Sequence, residues 1–144
     1  MSVYSFSSAT GSIDGPGGSF SFGYGSDNDE GGITVTFIED KNTMTIGADG
    51  GGMHSLHAGR AGTITVRLLK TSAVNKLFTD LYRYQTSSPA NHGQNTISIR
   101  DTVRGDVVTA QGGAFKKMPD NAWAKNGNTL EWSFDCITID QKLG

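Results

Sequence analysis

The sequence predicts a mainly β protein: an antiparallel β-sandwich or partly closed barrel with one flanking α-helix at about residues 71–85. Three observations carry this expectation. Most of the chain alternates apolar and polar residues with period two, as a half-buried strand does. One segment repeats its apolar residues at helical spacing instead. Clusters of Gly, Asn, Asp and Pro punctuate the rest. At 144 residues the chain fits a single domain spanning 1–144.

The elements follow in chain order. A turn at "DGPGG" (14–18) precedes the strand "SFSFGY" (19–24), and the acidic turn "GSDNDEGG" (25–32) leads to "ITVTFI" (33–38). After "EDKN" (39–42) comes the short strand "TMTI" (43–46), then a long glycine-rich stretch, "GADGGGMHSLHAGRAG", over 47–62. It reads as an extended loop before the strand "TITVRLL" (63–69). In "TSAVNKLFTDLYRYQ" (71–85), Val74, Leu77, Phe78 and Leu81 fall on one helical stripe, with Thr71 or Ser72 as the N-cap. A loop at 87–93 leads to "TISIR" (96–100), and "DVVTA" (106–110) and "GAFKKM" (113–118) read as two shorter strands. A turn at 124–128 precedes "LEWSFD" (130–135). The phase slips after it: Leu130, Trp132, Phe134 and Cys136 share one parity and Ile137 and Ile139 take the other. Such a slip marks a bulge or a strand end buried on both faces.

Composition narrows the function classes. Net charge is −2 with no basic run, which argues against a sequence-specific nucleic-acid binder. The lone Cys136 cannot form an intramolecular disulfide. "MSVYSFSSAT" has neither a basic nor an apolar leader region, and no apolar run approaches the ~18 residues of a membrane helix, so neither a secretory signal nor a membrane span is expected. Glycine supplies 20 residues and charged residues only 18%, below the ~25% of an average soluble protein. A surface of Ser, Thr and Gly suits a protein partly covered by other subunits.

Candidate chemistry is thin. His54 and His57 form H-x-x-H, but zinc needs three or four ligands, and His92 and Cys136 lie elsewhere in the sequence. "GADGGGMH" lacks the lysine and the following helix of a phosphate cradle. Asp27, Asp29 and Glu30 resemble the start of a calcium loop, yet Ile38 stands where the twelfth-position Glu belongs. No G-x-S-x-G or comparable nucleophile motif occurs. Trp132 alternates with core residues, while Trp123 falls outside any apolar pattern. No catalytic residue, metal or cofactor is expected. The pattern favours a binding or self-assembling protein.

"IDGPGGSFSFG" (13–23), "EDKNTMTIGADGGGMHSLHAGRAGTITVRLLKTSAVN" (39–75), "NTISIRDTVRGDVVTAQGGAFKKMPD" (95–120) and "LEWSFDCITIDQKLG" (130–144) resemble the small tail tube proteins of contractile-tailed bacteriophages. The resemblance covers nearly the whole chain. It implies a β-sandwich with a helix at its side, shared with the tubes of the bacterial type VI secretion machine. It implies hexameric rings whose sheets join into a continuous inner barrel and stack as a hollow tube. Its partners are then other copies of itself, a sheath protein, a baseplate initiator, a tail terminator and a tape measure protein. DNA passes through the lumen without specific binding, and the protein resides in the virion after assembly in the host cytoplasm. In that fold the 47–62 segment reaches toward a neighbouring subunit or ring, which makes Asp49, Met53, His54, Leu56, His57 and Arg60 contact residues, with Asp49 and Arg60 as an interface ion pair. The two ends of the chain, with Val3, Tyr4, Phe6, Lys142 and Leu143, are secondary contacts.

Two readings from other classes stand beside it. A carbohydrate-binding β-sandwich module is motivated by Trp123 and the acidic turn. A small metal-dependent hydrolase would use Asp49, His54 and His57.

Overall fold

The computed structural model describes residues 3–23 and 28–144. Among the described residues the fold has nine strands and one α-helix: β1 (Ala9–Gly15), β2 (Gly18–Gly23), β3 (Asn28–Phe37), β4 (Asn42–Ile46), β5 (Gly52–Leu56), β6 (Gly62–Leu69), α1 (Val74–Thr86), β7 (Asn95–Asp101), β8 (Val107–Lys117) and β9 (Thr129–Lys142). Seven of the strands form one antiparallel sheet in the order β2-β1-β7-β8-β9-β6-β3, and β4 and β5 pair with each other alone. Of the two forms expected, the chain takes the partly closed barrel: the large sheet curls into a half-barrel.

Alternation decides which face turns inward. Ile13, Phe22, Ile64, Val66, Leu68, Ile97, Trp132 and Phe134 point into the concave side and are buried. Helix α1 fills that side. Its ends sit where the sequence places them to within a few residues, and Ser72 Oγ accepts from the Val74 N–H at 3.3 Å as the chain enters it. Val74, Phe78 and Leu81 are buried, whereas Leu77, expected on the same stripe, is 43% exposed. Phe78 is the hub. Its ring lies 4.9 Å from Phe20, 5.3 Å from Trp132 and 5.6 Å from Phe134 between centroids. These are distances at which offset and edge-on aromatic pairs attract.

Three expectations need correction. The sequence names no element before the turn at 14–18, whereas β1 occupies Ala9–Gly15, with Ile13 as its single large apolar residue. The segments 106–110 and 113–118 are one strand, β8, bent by a bulge: between Asn95 and Ile97 the β7–β8 register shifts by one residue. Gly112, at φ +65°, supplies the left-handed residue there, and a Cβ on it would meet the side chain of Ile137. The phase slip is real. Cys136 and Ile139 are both buried while Ile137 is 71% exposed, and β8 slips with β9, since Gln111↔Thr138 and Gly113↔Cys136 keep one register across Gly112 and Ile137. Third, 47–62 is not one loop, since β5 occupies its middle.

Candidate assembly surface

The β4–β5 hairpin is built from residues that bury little within the chain. All of β4 and nearly all of β5 is exposed. Its register pairs Asn42 with Leu56, Met44 with His54 and Ile46 with Gly52 on one face, and Thr43 with Ser55 and Thr45 with Met53 on the other. Met44, Ile46 and Leu56 on the first face are 60%, 56% and 86% exposed. Three large apolar side chains on one exposed face are a surface that needs a cover. Sequence reasoning named Met53 and Leu56 together; they point to opposite faces. It passed over Met44 and Ile46, which share the Leu56 face. Recognising β5 would have found them, because pairing it to β4 across the glycine turn fixes the register.

The other sequence-predicted residues have local work. Asp49 Oδ1 accepts from the Gly51 N–H at 3.0 Å within the hairpin turn, where the Gly47 N–H donates to the Gly51 carbonyl at 2.6 Å. His54 Nδ1 lies 3.1 Å from Asn42 Nδ2, and His57 Nε2 lies 2.6 Å from Thr43 Oγ1. Those contacts hold the two imidazoles on opposite faces of the hairpin, so they do not form a ligand pair for zinc. Among the described residues no group of three or more His, Cys, Asp or Glu side chains is placed to hold a metal ion. Of the acidic turn, Asp27 and the side chains of Asp29 and Glu30 lie outside the described residues.

A stiff neck joins the hairpin to the sheet. Lys41 Nζ donates to the carbonyls of His57 and Gly59 at 3.1 and 3.0 Å, and the His57 N–H returns a bond to the Lys41 carbonyl at 2.9 Å. The Ile38 N–H donates to the Ala61 carbonyl at 3.1 Å, and the Ile139 N–H to the Arg60 carbonyl at 2.8 Å. Arg60 thus docks its backbone against β9, beside Thr138.

Both ends of the chain converge on the β7–β8 turn. Asp101 Oδ1 accepts from Ser8 Oγ at 2.9 Å and from the Val103 and Arg104 N–H groups at 3.0 Å. The Gly144 N–H donates to Asp106 Oδ1 at 2.8 Å. Between these clasps lies a cavity of about 220 Å³ lined by Tyr4, Phe6, Ile33, Val35, Ile99 and Leu143, among others. Phe6 is half-buried against it, while Val3, Tyr4 and Leu143 are 66%, 67% and 73% exposed. Lys142 ends β9 opposite Val107 and is also exposed.

The convex face of the sheet carries small hydroxyls in register. Ser21, Ser12, Ser98, Thr109 and Asp140 are cross-strand partners in one row. Ser133, Thr65 and Thr34 form a second row, and Asp135, Thr63 and Thr36 a third. Thr63 Oγ1 donates to Asp135 at 3.1 Å, and Arg67 donates to Thr34 Oγ1 at 2.7 Å while its Nε lies 3.8 Å from Glu131. Arg67 on this face thus sits between a hydroxyl and an acid, while Arg100 and Lys142 share a row with Thr10 and Val107.

A model of one protein family, described as the bacteriophage PhiTE tail tube protein, matches residues 1–144. The chain belongs to that family. Its role is accordingly structural, as a component of a phage tail. Among solved structures it is similar to the tube-terminating cap of the anti-feeding prophage, seen by electron cryo-microscopy. That likeness has a TM-score of 0.59 at 8% identity and covers 100% of this chain and 93% of the cap. At such identity it establishes the fold: the half-barrel with one inner helix is a tail-tube-like architecture. No curated protein sequence matches. No helix among the described residues is long and apolar enough to cross a membrane.

Proposed function

We propose that this tail tube family member is the repeating subunit of a hollow tube, assembled as stacked hexameric rings inside a contractile sheath, through which the genome passes into the host. The observation that supports this reading is the convex face of the sheet. Its rows of Ser and Thr suit a wet lumen. Every Lys or Arg that neutralises a phosphate adds salt-dependent grip, and a conduit must let DNA slide. Among the described residues the flanking strands β2 and β3 have one unpaired edge each, and a heterologous ring covers such edges with the next copy.

In this assembly the hairpin is a contact arm. Asp49 shapes its turn, Met53, His54, Leu56 and His57 face neighbours, and Arg60 sits at its root; Val3, Tyr4, Phe6, Lys142 and Leu143 supply a second contact. The subunit works without turnover or cofactor. Its partners are its own copies, the sheath, the baseplate initiator, the terminator and the tape measure protein; its place is the virion, reached after assembly in the host cytoplasm. Electron microscopy of the purified chain at high concentration, alone and with its baseplate, tests the reading. Hollow rods or stacked rings are expected. A chain that stays monomeric in both conditions overturns it and brings forward the carbohydrate-binding alternative, for which a sugar-dependent rise in melting temperature is the signature.

A further inference from the structure

Two exposed apolar features occupy opposite ends of the β6–β9 strand pair. Gly62 pairs with Cys136 at the end from which the hairpin neck departs, and Leu69 pairs with Thr129 at the other. The loop between β8 and β9 lies at that second end. It carries Trp123, 86% exposed, and Met118, 43% exposed, beside Leu69, also 43% exposed. Lys70 Nζ sits 5.0 Å from the centre of the Trp123 ring and donates to the Ala122 carbonyl, so one face of the indole meets a cation while most of its surface lies outward. Solvated tryptophans are characteristic anchors of protein interfaces.

From these observations we infer that the hairpin face formed by Met44, Ile46 and Leu56 of one copy docks on the Trp123 loop of another copy, end to end along the strand direction. The inference rests on the tube reading above and names the receiving surface for its contact arm. Three features select this occupant. Both surfaces are apolar, exposed and borne by the same chain, at opposite ends, so one head-to-tail contact repeats from copy to copy. The charges lean in opposite directions: Lys70, Lys117 and Lys125 stand against Asp120 and Glu131 at the Trp123 end, while Glu39, Asp40 and Asp49 stand against Lys41 and Arg60 on the hairpin and its root. The hairpin also forms an arm, since its strands of five residues are about 16 Å long at ~3.3 Å per residue.

Paired cysteines test this contact, because the native Cys136 is buried. The chain carrying Leu56→Cys with Trp123→Cys is assembled and oxidised, then run on a non-reducing gel. A ladder of crosslinked oligomers is expected. Leu56→Cys with Met118→Cys, which leaves Trp123 in place, is expected to give the same ladder. Trp123→Ala is expected to raise the concentration needed for polymer by about tenfold or more, with an unchanged circular dichroism spectrum. Crosslinking of Leu56→Cys with Leu143→Cys in place of these pairs puts the hairpin on a neighbour's chain ends and overturns the inference. Dimers of the Leu56→Cys single variant, which signal hairpin-to-hairpin contact, also overturn it. Rods without any ladder leave the tube reading standing and remove this contact. Absence of both rods and crosslinks removes both.

Discussion

The side-chain amides of Gln85 and Asn95 face each other in the buried interior and exchange two hydrogen bonds, each 2.7 Å long. Gln85 Nε2 donates a further bond to the Pro16 carbonyl at 3.0 Å. One pair thereby ties the last turn of α1 to the start of β7 and to the β1–β2 turn. Both residues are at most 1% exposed, so water cannot replace a lost partner.

Breaking that pair from one side is therefore costly. Asn95→Ala strands the Gln85 amide, and an unsatisfied buried group costs about 1–3 kcal/mol. Gly15→Ala attacks the same spot sterically, since a Cβ there would run into Asn95 Oδ1 and Gln85 Nε2; overpacking of this kind costs about 1–3 kcal/mol. Urea unfolding of both single variants and of the double is the check. The double is expected to fall well short of the sum, because each change disrupts the same pair.

Phe78 and Leu77 are neighbours in sequence with opposite fates. Phe78 is fully buried among Phe20, Phe22, Phe115, Trp132 and Phe134. Phe78→Ala is expected to cost about 3–5 kcal/mol. Leu77→Ala is expected to cost much less, about 1 kcal/mol or under, since Leu77 sits at the exposed margin of the helix. Equal losses in urea unfolding would show that the helix packs by another face.

How much of this was legible in the sequence follows from which faces are buried. Leu130, Trp132, Phe134 and Cys136 alternate because β9 has a dry face and a wet one, and period two exposes that directly. The helix was legible for the same reason, although the stripe alone did not reveal that Leu77 lies at its wet margin. β5 was not, because a hairpin that buries neither face against its own chain leaves no alternation to read. β1 was hidden by its small residues: Gly11 lies beneath the Phe22 ring, where a Cβ would collide, so the strand packs by having little side chain to pack. The contact face of the hairpin needed the register, and Met44 with Ile46 became visible only once β5 was paired to β4.

Hairpin substitutions should separate assembly from folding. Met44→Asp with Leu56→Asp places charge on two side chains that touch little of their own chain. Folding stability is expected to stay within about 0.5 kcal/mol per site, read from urea midpoints, while rods disappear from electron micrographs. A large loss of stability would mean that the hairpin packs on its own sheet.

Asp101 makes the clasp on the N-terminal segment sensitive to acid. The Arg104 N–H is the main cause that holds its carboxyl below the usual carboxylate value, with the Ser8 hydroxyl, the Val103 N–H and the Arg104 charge adding, against an opposing effect of burial. A carboxyl whose value is lower folded than unfolded contributes stability that is complete above the unfolded value, about 3.9, and is lost as pH falls through the folded one. Asp101→Asn keeps an acceptor oxygen and removes the charge. Its deficit relative to the parent is expected to be full at pH 7 and to shrink below pH 4, in paired urea titrations. A deficit that is constant with pH would place the charge outside the clasp.

Cys136 offers the converse titration. Burial is the main cause that pushes its thiol up to about 11, with the Asp135 charge adding. The neutral thiol is the form the fold accepts. The thiolate is the reactive form, and an unfolded thiol near 8.5 populates it readily at pH 8. In the folded chain a disulfide reagent at pH 8 should therefore react slowly, and urea should raise the rate by orders of magnitude as the chain opens. The stability linked to this group is present below the unfolded value and declines as pH rises from there toward 11, because unfolding then releases a proton that the fold retains. Cys136→Ala removes that decline. Rapid labelling of the folded chain at pH 8 would mean that the β6–β9 seam, where Cys136 faces Gly62, opens on its own and that the hairpin root is not the rigid support described above.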